Sequence, residues 1–535
     1  MTSKLTHRSS LLYGTIPSMG QLKRLSSVFA QRTLLSGVLL AVVIVGYLAL
    51  VQFSSPDLAG NDGYYHIKFA HLMRTEGLKP DFPYLPLTIL NAREFSDHQF
   101  LYHILLVPFT FGDLRMGAKW ASVIFASLAF LSVWWLLHKQ RVPYASLWTL
   151  GLLAISEGFI YRMSLPRPPS ISLAFLVIGL HWMLTQKYAR LIPLAFVYVW
   201  LYDAFPLLIF LVGIYTICLL LLERRLNLYP LLYTGIGVVL GLFLKPYFPH
   251  NVIFLYQHVF PKLTETTSVD VGSEWYPYRT SQLLENAPLG LLAFFSGTFA
   301  LGLRQKRMEV NIATSFLAAI LFGLLVFQSR HFIEYFPAFA LIFAALAWSP
   351  LIKEDKERSE VVDSTSPEPR YKIIPERWAA FFRRSYPVIL LVIFLIPGMW
   401  FTFKDAKSDL QGSKPYGLFA GASAWLEANT PAGARVFQTD WDDFPRLFFY
   451  NTHNTYLIGL DPTYMQLYDA ELYETWVAIT EGKVESPSET IASQFGSQYV
   501  VTDLKHKDFL RRAEEDAGLR EVYRDSEAAI FELLQ

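Results

Sequence analysis

Gly60-Asn61-Asp62-Gly63-Tyr64-Tyr65-His66 lies just past the first apolar run, Leu34 to Phe53, and leads into Lys68, His71 and Arg74. A carboxylate among cations at the edge of an apolar segment suits the handling of a phosphate-bearing lipid. The carboxylate can hold a divalent metal, and the cations can meet phosphate. The same Asn-Asp-Gly residues are also natural turn formers. Tyr64 to Leu72 reads as a helix lying along a membrane interface, with aromatic anchors that would hold Asp62 at headgroup depth. In Phe95-Ser96-Asp97-His98-Gln99, Asp97 can cap a helix beginning at Gln99, or serve as a base or metal ligand. In Ser273-Glu274-Trp275-Tyr276-Pro277, Trp275 and Tyr276, with Tyr278 beyond, are costly to leave in water, so the segment should pack onto something. Glu274 is then a second acidic site candidate.

Cations accompany these acids. Arg330 and His331 sit in Gln328-Ser329-Arg330-His331-Phe332-Ile333-Glu334-Tyr335, where an apolar run ends. Arg330 can pair with Glu334 at helical spacing, or bind a diphosphate through its planar guanidinium. Arg162 and Arg167, in Tyr161-Arg162-Met163-Ser164-Leu165-Pro166-Arg167-Pro168-Pro169, and Lys245 fall at the same level of the chain. Together they describe a site for an anionic ligand.

These residues must be positioned by membrane elements. Of 535 residues 53% are hydrophobic and only 17% charged, against roughly 25% charged in a soluble domain. Apolar runs near Leu34–Phe53, Gly117–Leu137, Ala145–Tyr161, Ser170–Thr185, Leu191–Tyr202, Phe205–Leu222, Tyr229–Leu244, Ala287–Leu303, Ile312–Phe327, Phe332–Trp348 and Pro387–Phe403 predict about 11 spans. Lys139 and Arg141, Lys187 and Arg190, Arg224 and Arg225, Arg304 to Arg307, and Lys353 to Arg358 fall in alternate loops. The preference of cytoplasmic loops for Lys and Arg therefore puts the N-terminus inside and the C-terminus outside. The expected fold is an α-helical polytopic membrane protein with a C-terminal α/β soluble domain. Its parts are a cytoplasmic tail over 1–33 and a transmembrane domain over 34–349 with outer loops 54–99 and 245–286. A cytoplasmic linker over 350–385, a last span over 386–404 and an outer domain over 405–535 complete it. Within the outer domain, Ala434–Gln438 and Gln498–Thr502 read as strands, Ala422–Ala428 and Leu510–Ala517 as helices. The lone cysteine, Cys218, excludes an intramolecular disulfide and a thiolate zinc site. The expected location is the inner or plasma membrane, with the bilayer as partner and no role for nucleic acid.

Taken in order, the motifs resemble those of the catalytic subunit of oligosaccharyltransferase and, more widely, the GT-C class of polytopic glycosyltransferases. Asp62-Gly63-Tyr64-Tyr65-His66 is similar to that family's Asp-x-Tyr-Tyr-His, whose aspartate is a metal ligand. Ser273 to Pro277 resembles Ser-x-Ser-Glu-x-x-Pro, whose glutamate lies near metal and acceptor. Arg330 to Tyr335 resembles Arg-x-x-Glu-Tyr, whose arginine faces the lipid diphosphate. The resemblance implies transfer of a sugar or glycan from a polyprenyl-phosphate-linked donor to a protein, lipid or glycan acceptor. It implies Mg²⁺ or Mn²⁺ on Asp62 and Glu274, and Asp62, Glu274 or Asp97 as catalytic carboxylates. Arg330, His331, Arg162 and Arg167 would face the donor phosphate, and Trp441, Asp442 and Tyr464 the acceptor. Two departures stand out. The place of the family's second metal-binding aspartate is taken by Arg162 to Pro169, which holds no carboxylate; Glu157 lies about one turn inside, and Asp203, near Trp200, is an outer-side acid that could substitute. The nearest match to the family's Trp-Trp-Asp-Tyr-Gly is Asp440-Trp441-Asp442-Asp443-Phe444. A transporter or flippase of an anionic lipid or solute, and a non-catalytic relative of the same fold, are the competing expectations. The first would place ionisable groups near mid-membrane rather than at one face.

Overall fold

In the computed structural model, residues 19–264, 272, 274–304, 306–365 and 376–534 are described. The segment before Met19, Thr266 to Asp270, Ser273, and the Ser366–Pro369 part of the linker lie outside them. Sixteen α-helices lie among the described residues up to Gln411. They are α1 (Met19–Gln52), α2 (Asp62–Glu76), α3 (Phe100–Leu106), α4 (Leu114–Lys139), α5 (Ala145–Leu150), α6 (Glu157–Ser164), α7 (Pro169–Leu184) and α8 (Leu191–Leu201). There follow α9 (Pro206–Glu223), α10 (Tyr229–Leu244), α11 (His250–Thr264), α12 (Thr280–Asn286), α13 (Pro288–Leu303), α14 (Val310–Gln328), α15 (Phe336–Thr365) and α16 (Glu376–Gln411).

Five helices among the described residues are long and apolar enough to cross a membrane, or up to seven if each bent pair is one span. Leu35, Val42, Phe210, Leu221, Leu324 and Phe295 are all exposed along them, a surface that water would not tolerate and lipid tails would. The chain is built as a multi-pass membrane protein. Helix starts follow local chemistry. Asp113 caps α4, its Oδ1 accepting from the Met116 N–H at 2.8 Å, and proline opens α7, α9, α10 and α13, where a missing N–H costs nothing. Lys119, buried in α4, donates to the Ser55 and Gln52 carbonyls at 2.5 and 3.3 Å, closing the end of α1 with a cation where the helix dipole is negative.

The run Ala145–Tyr161 is not one helix. Gly151 begins a tight turn after α5, and the Ser156 Oγ accepts from the Phe159 N–H at 3.1 Å, starting α6 afresh. Helix α6 then meets α7 at 107°, across Leu165–Pro168, and α12 meets α13 at 83°. Proline explains both breaks, since it disfavours helix in the residue before it.

The C-terminal domain carries a five-stranded sheet in the order β2-β1-β3-β5-β4, with β1 (Arg435–Gln438) parallel to β2 (Thr455–Tyr456) and β3 (Tyr499–Asp503). Strands β4 (Leu519–Arg524) and β5 (Ala528–Leu533) are antiparallel additions on the β3 side. The pleat divides the core. Phe437, Val500, Ala529 and Phe531 face Trp476, Phe495 and Phe509. Val436, Val501 and Ile530 share a cluster with Phe444 and Phe448, from the helix Phe444–Tyr450, and with Tyr65, Phe69 and Phe82. That helix covers one face of the sheet and packs on α2, with Phe444 and Phe448 against Tyr65.

Candidate active site

Asp62 begins α2, and Gly63 follows it because nothing larger fits: a Cβ there would lie 2.1 Å from the Pro166 ring. The α6–α7 break consequently presses against the start of α2, and Arg167 reaches Asp62. Its Nη1 donates to Asp62 Oδ2 at 3.0 Å and to the two Glu274 oxygens at 3.2 and 3.3 Å, while its Nη2 donates to Glu334 Oε1 at 3.1 Å. Arg162, one turn earlier, donates from Nη1 to Glu274 at 2.7 Å and from Nε to Glu334 at 2.9 Å. Its Nη2 lies 3.0 Å from His331 Nδ1. His331 stacks on Trp275 with ring centres 5.4 Å apart and lies 3.3 Å from the Tyr202 hydroxyl.

Two guanidiniums are therefore held by three carboxylates, with a closed and an open end. The Glu334 side chain is 0% exposed, whereas Asp62 and Glu274 are 39% and 32% exposed. Burial alone would raise the Glu274 carboxyl, but Arg167 and Arg162 outweigh it and hold the group well below the usual carboxylate range.

The soluble domain forms the rim. Asn61 Nδ2 donates to the Asp442 carboxylate, and Arg446 Nε donates to Asn61 Oδ1 at 2.8 Å. The fully buried Arg446 lies 4.2 Å above the Tyr64 ring and donates to the Pro415 and Lys414 carbonyls. Asp442 is thereby fixed one residue away from Asp62. Solvent reaches 37% of the Asp442 side chain, yet protein crowds the carboxyl, and burial pushes it up to about 7 against the pull of Lys414. From the other side, Gly272 adopts φ +85°, and a Cβ on it would meet the Trp441 ring at 3.5 Å, so the chain at Gly272 touches the rim at Trp441.

The remaining candidates lie elsewhere. Arg330 turns away from the carboxylates: its Nε contacts the Pro277 carbonyl at 3.4 Å and its guanidinium stands 5.3 Å from the Tyr278 ring. Asp97 is buried, accepting the Gln99 N–H at 2.9 Å just ahead of α3, which starts at Phe100 without a side-chain cap, and the His103 Nδ1–H at 2.8 Å. His103 Nε2 in turn lies 2.9 Å from His66 Nδ1, and burial, with His103 beside it, lowers the His66 imidazole well below its ordinary range. Tyr464 is buried too, its hydroxyl 2.9 Å from His258 Nδ1, with Asp203 3.2 Å from the other ring nitrogen. Glu334, Asn61 and Arg446 were not singled out from the sequence. Only Glu334, four residues after Arg330, carried a signal.

No family model and no curated protein matches this sequence. Solved structures do. The Archaeoglobus fulgidus oligosaccharyltransferase in its apo form aligns over 93% of this chain and 74% of its own, with a TM-score of 0.61 at 14% identity. ArnT from Cupriavidus metallidurans, solved with undecaprenyl phosphate, aligns over 92% of this chain and 97% of its own, with a TM-score of 0.55 at 16% identity. The chain has the GT-C fold. The same archaeal enzyme, AglB, solved with an inhibitory peptide and a dolichol-phosphate, aligns with a TM-score of 0.59 over 92% of this chain at 14% identity. Within this GT-C fold the resemblance places a divalent metal on Asp62 and Glu274, and the residues present do not fit one. Both carboxylates already accept from the same Arg167 nitrogen, a like-charged group where the ion would sit. No group of three or more His, Cys, Asp or Glu residues able to hold a metal exists among the described residues.

Proposed function

We propose that this protein is an integral-membrane glycosyltransferase that moves a sugar or glycan from a polyprenyl-phosphate-linked donor to an acceptor on the outer face of the cell membrane. The observation that carries this reading is the paired guanidinium cluster of Arg162 and Arg167, anchored at its closed end on Glu334 and opening past Asp62 and Glu274. Planar, pre-oriented guanidiniums match phosphate oxygens, and a donor phosphate entering from the open end would take the place of the exposed Asp62 on Arg167. The polyprenyl phosphates bound to the archaeal enzyme and to ArnT are of the expected chemistry.

In this reading the donor phosphate lies against Arg162, Arg167 and His331, which stabilise the charge developing on the leaving oxygen. Asp62, released from Arg167, accepts the proton of the acceptor nucleophile. The new bond forms at the sugar's anomeric carbon as the bond to the phosphate oxygen breaks, the electron pair leaving with the phosphate. Trp441 and Asp442 on the rim hold the acceptor. Glu274 remains the inner guide of the guanidiniums, and Asp97 positions His103 and His66 behind α2.

The test uses purified protein in nanodiscs with labelled polyprenyl-linked glycans and mixed peptide, lipid and glycan acceptors. Asp62→Asn should slow transfer at least about 100-fold, the lower end of what a general base contributes, with no change in thermal unfolding. Wild-type turnover in Asp62→Ala would sink the assignment.

A further inference from the structure

The two carboxylates at the mouth of the site are held by one side chain, and that side chain has a donor to spare. We propose that the Arg167 guanidinium occupies the place and performs the task of a divalent cation, so that donor phosphate is bound and released as a leaving group without any metal. This rests on the glycosyl-transfer reading above and names the electrophile within it.

Arg167 makes four hydrogen bonds to three carboxylates through Nη1 and Nη2. Its remaining donor, Nε, is buried and has no hydrogen-bond partner among the described residues. A buried donor left unmade is costly, and a charged one more so. A ligand oxygen in the cleft would satisfy it. The buried Tyr102 hydroxyl also lacks a hydrogen-bond partner, and it lies close enough to feel both Arg167 and Asp62. Nε can only donate, so it suits an oxyanion and not a hydrated cation, and the Tyr102 hydroxyl can donate to the same anion.

The ion balance agrees. Arg162 and Arg167 face Asp62, Glu274 and Glu334, and a dication added among them would stand against two positive neighbours. A phosphate oxygen entering instead exchanges one anion for another. The buried Glu334 keeps both arginines in place, while the exposed Asp62 gives up its bond to Arg167. That exchange links donor binding to freeing of the base. The acceptor's proton passes to Asp62, the acceptor atom bonds to the anomeric carbon, and the phosphate retains the electron pair of the broken bond against the Arg167 N–H groups. No metal ion enters the balance.

The full chain in nanodiscs is titrated with farnesyl phosphate, once with chelator and once with Mg²⁺ or Mn²⁺, and transfer is measured under both conditions. The expected result is the same affinity and the same turnover in chelator and in metal. Arg167→Gln and Arg167→Lys should each weaken farnesyl phosphate binding about tenfold or more, Lys included because an ammonium cannot reproduce the fork. Affinity or turnover that collapses in chelator and returns with Mn²⁺ would overturn the proposal in the wild-type protein, whatever the variants do. Metal-independent binding with no transfer to any acceptor would instead overturn the glycosyl-transfer reading and leave the phosphate site standing. Equal competition by inorganic phosphate would overturn its assignment to a lipid phosphate.

Discussion

Glu334 is the side chain on which the arginine cluster turns. Its carboxylate is inaccessible and touches both guanidiniums, so the pair is a buried ionic network rather than a surface one. Such networks contribute little net stability when complete but are strongly destabilising when one partner is removed. Glu334→Ala should therefore lower stability by about 3–5 kcal/mol, and Glu334→Gln, which keeps an acceptor oxygen, by clearly less. Thermal unfolding in detergent checks this, and wild-type stability in Glu334→Ala would show that the guanidiniums find other acceptors. The sequence made Arg162, Arg167, Asp62, Glu274 and His331 legible because each is a charged or titratable group at the edge of an apolar run. Glu334 was legible only as a partner for Arg330, and the structure pairs it otherwise. Residues 330–334 form a 3₁₀ turn. With three residues per turn, positions four apart diverge by about 120° instead of lying on one face, so Arg330 points outward as Glu334 points in.

Helix α2 joins the two halves of the molecule. Its first residues face the arginine cluster, its aromatic face packs on the helix that covers the sheet, and Asn61 just before it binds Asp442 and Arg446 together. If this link sets the acceptor side of the site, Asn61→Ala should raise the acceptor KM about five- to thirtyfold, the effect of losing one or two polar contacts near 1 kcal/mol each. The donor KM should stay unchanged. Steady-state kinetics with each substrate varied in turn would check it, and an equal rise in both values would mean that α2 itself has shifted. That α2 is a helix was readable from its aromatic and apolar spacing. That it docks a second domain was not, because the contacts join residues some 381 and 385 positions apart in sequence. The α6–α7 break falls where one apolar run ends at Tyr161 and the next begins at Ser170, but the 107° turn there was not legible. Hydropathy reports how apolar a run is and not the direction its axis takes.

At the scale of the whole molecule, the question is which side of the membrane the cluster faces. The basic groups Lys139, Lys187, Arg190 and Arg304 lie at the ends of helices opposite to the ends that carry Asp62, Arg167, Lys245 and Arg330. The ends of α4, α7, α13 and α14 keep these two sets apart. Loops enriched in Lys and Arg stay in the cytoplasm, so the cluster and the sheet domain should share the outer face, as the proposed transfer requires. The lone cysteine makes this directly measurable, since Cys218 is buried and a Cys218→Ala background leaves no thiol. In that background, Ser493→Cys on the exposed surface of the outer domain should react with a membrane-impermeant maleimide on intact cells. Lys187→Cys, exposed in the connection between α7 and α8, should react only after the membrane is opened. The reverse pattern would turn the molecule over and place the arginine cluster on the cytoplasmic face, against nucleotide-bearing rather than flipped lipid-linked donors. Equal labelling of both in intact cells would mean that these two surfaces are not separated by a bilayer at all, and the multi-span architecture would have to be redrawn around that fact.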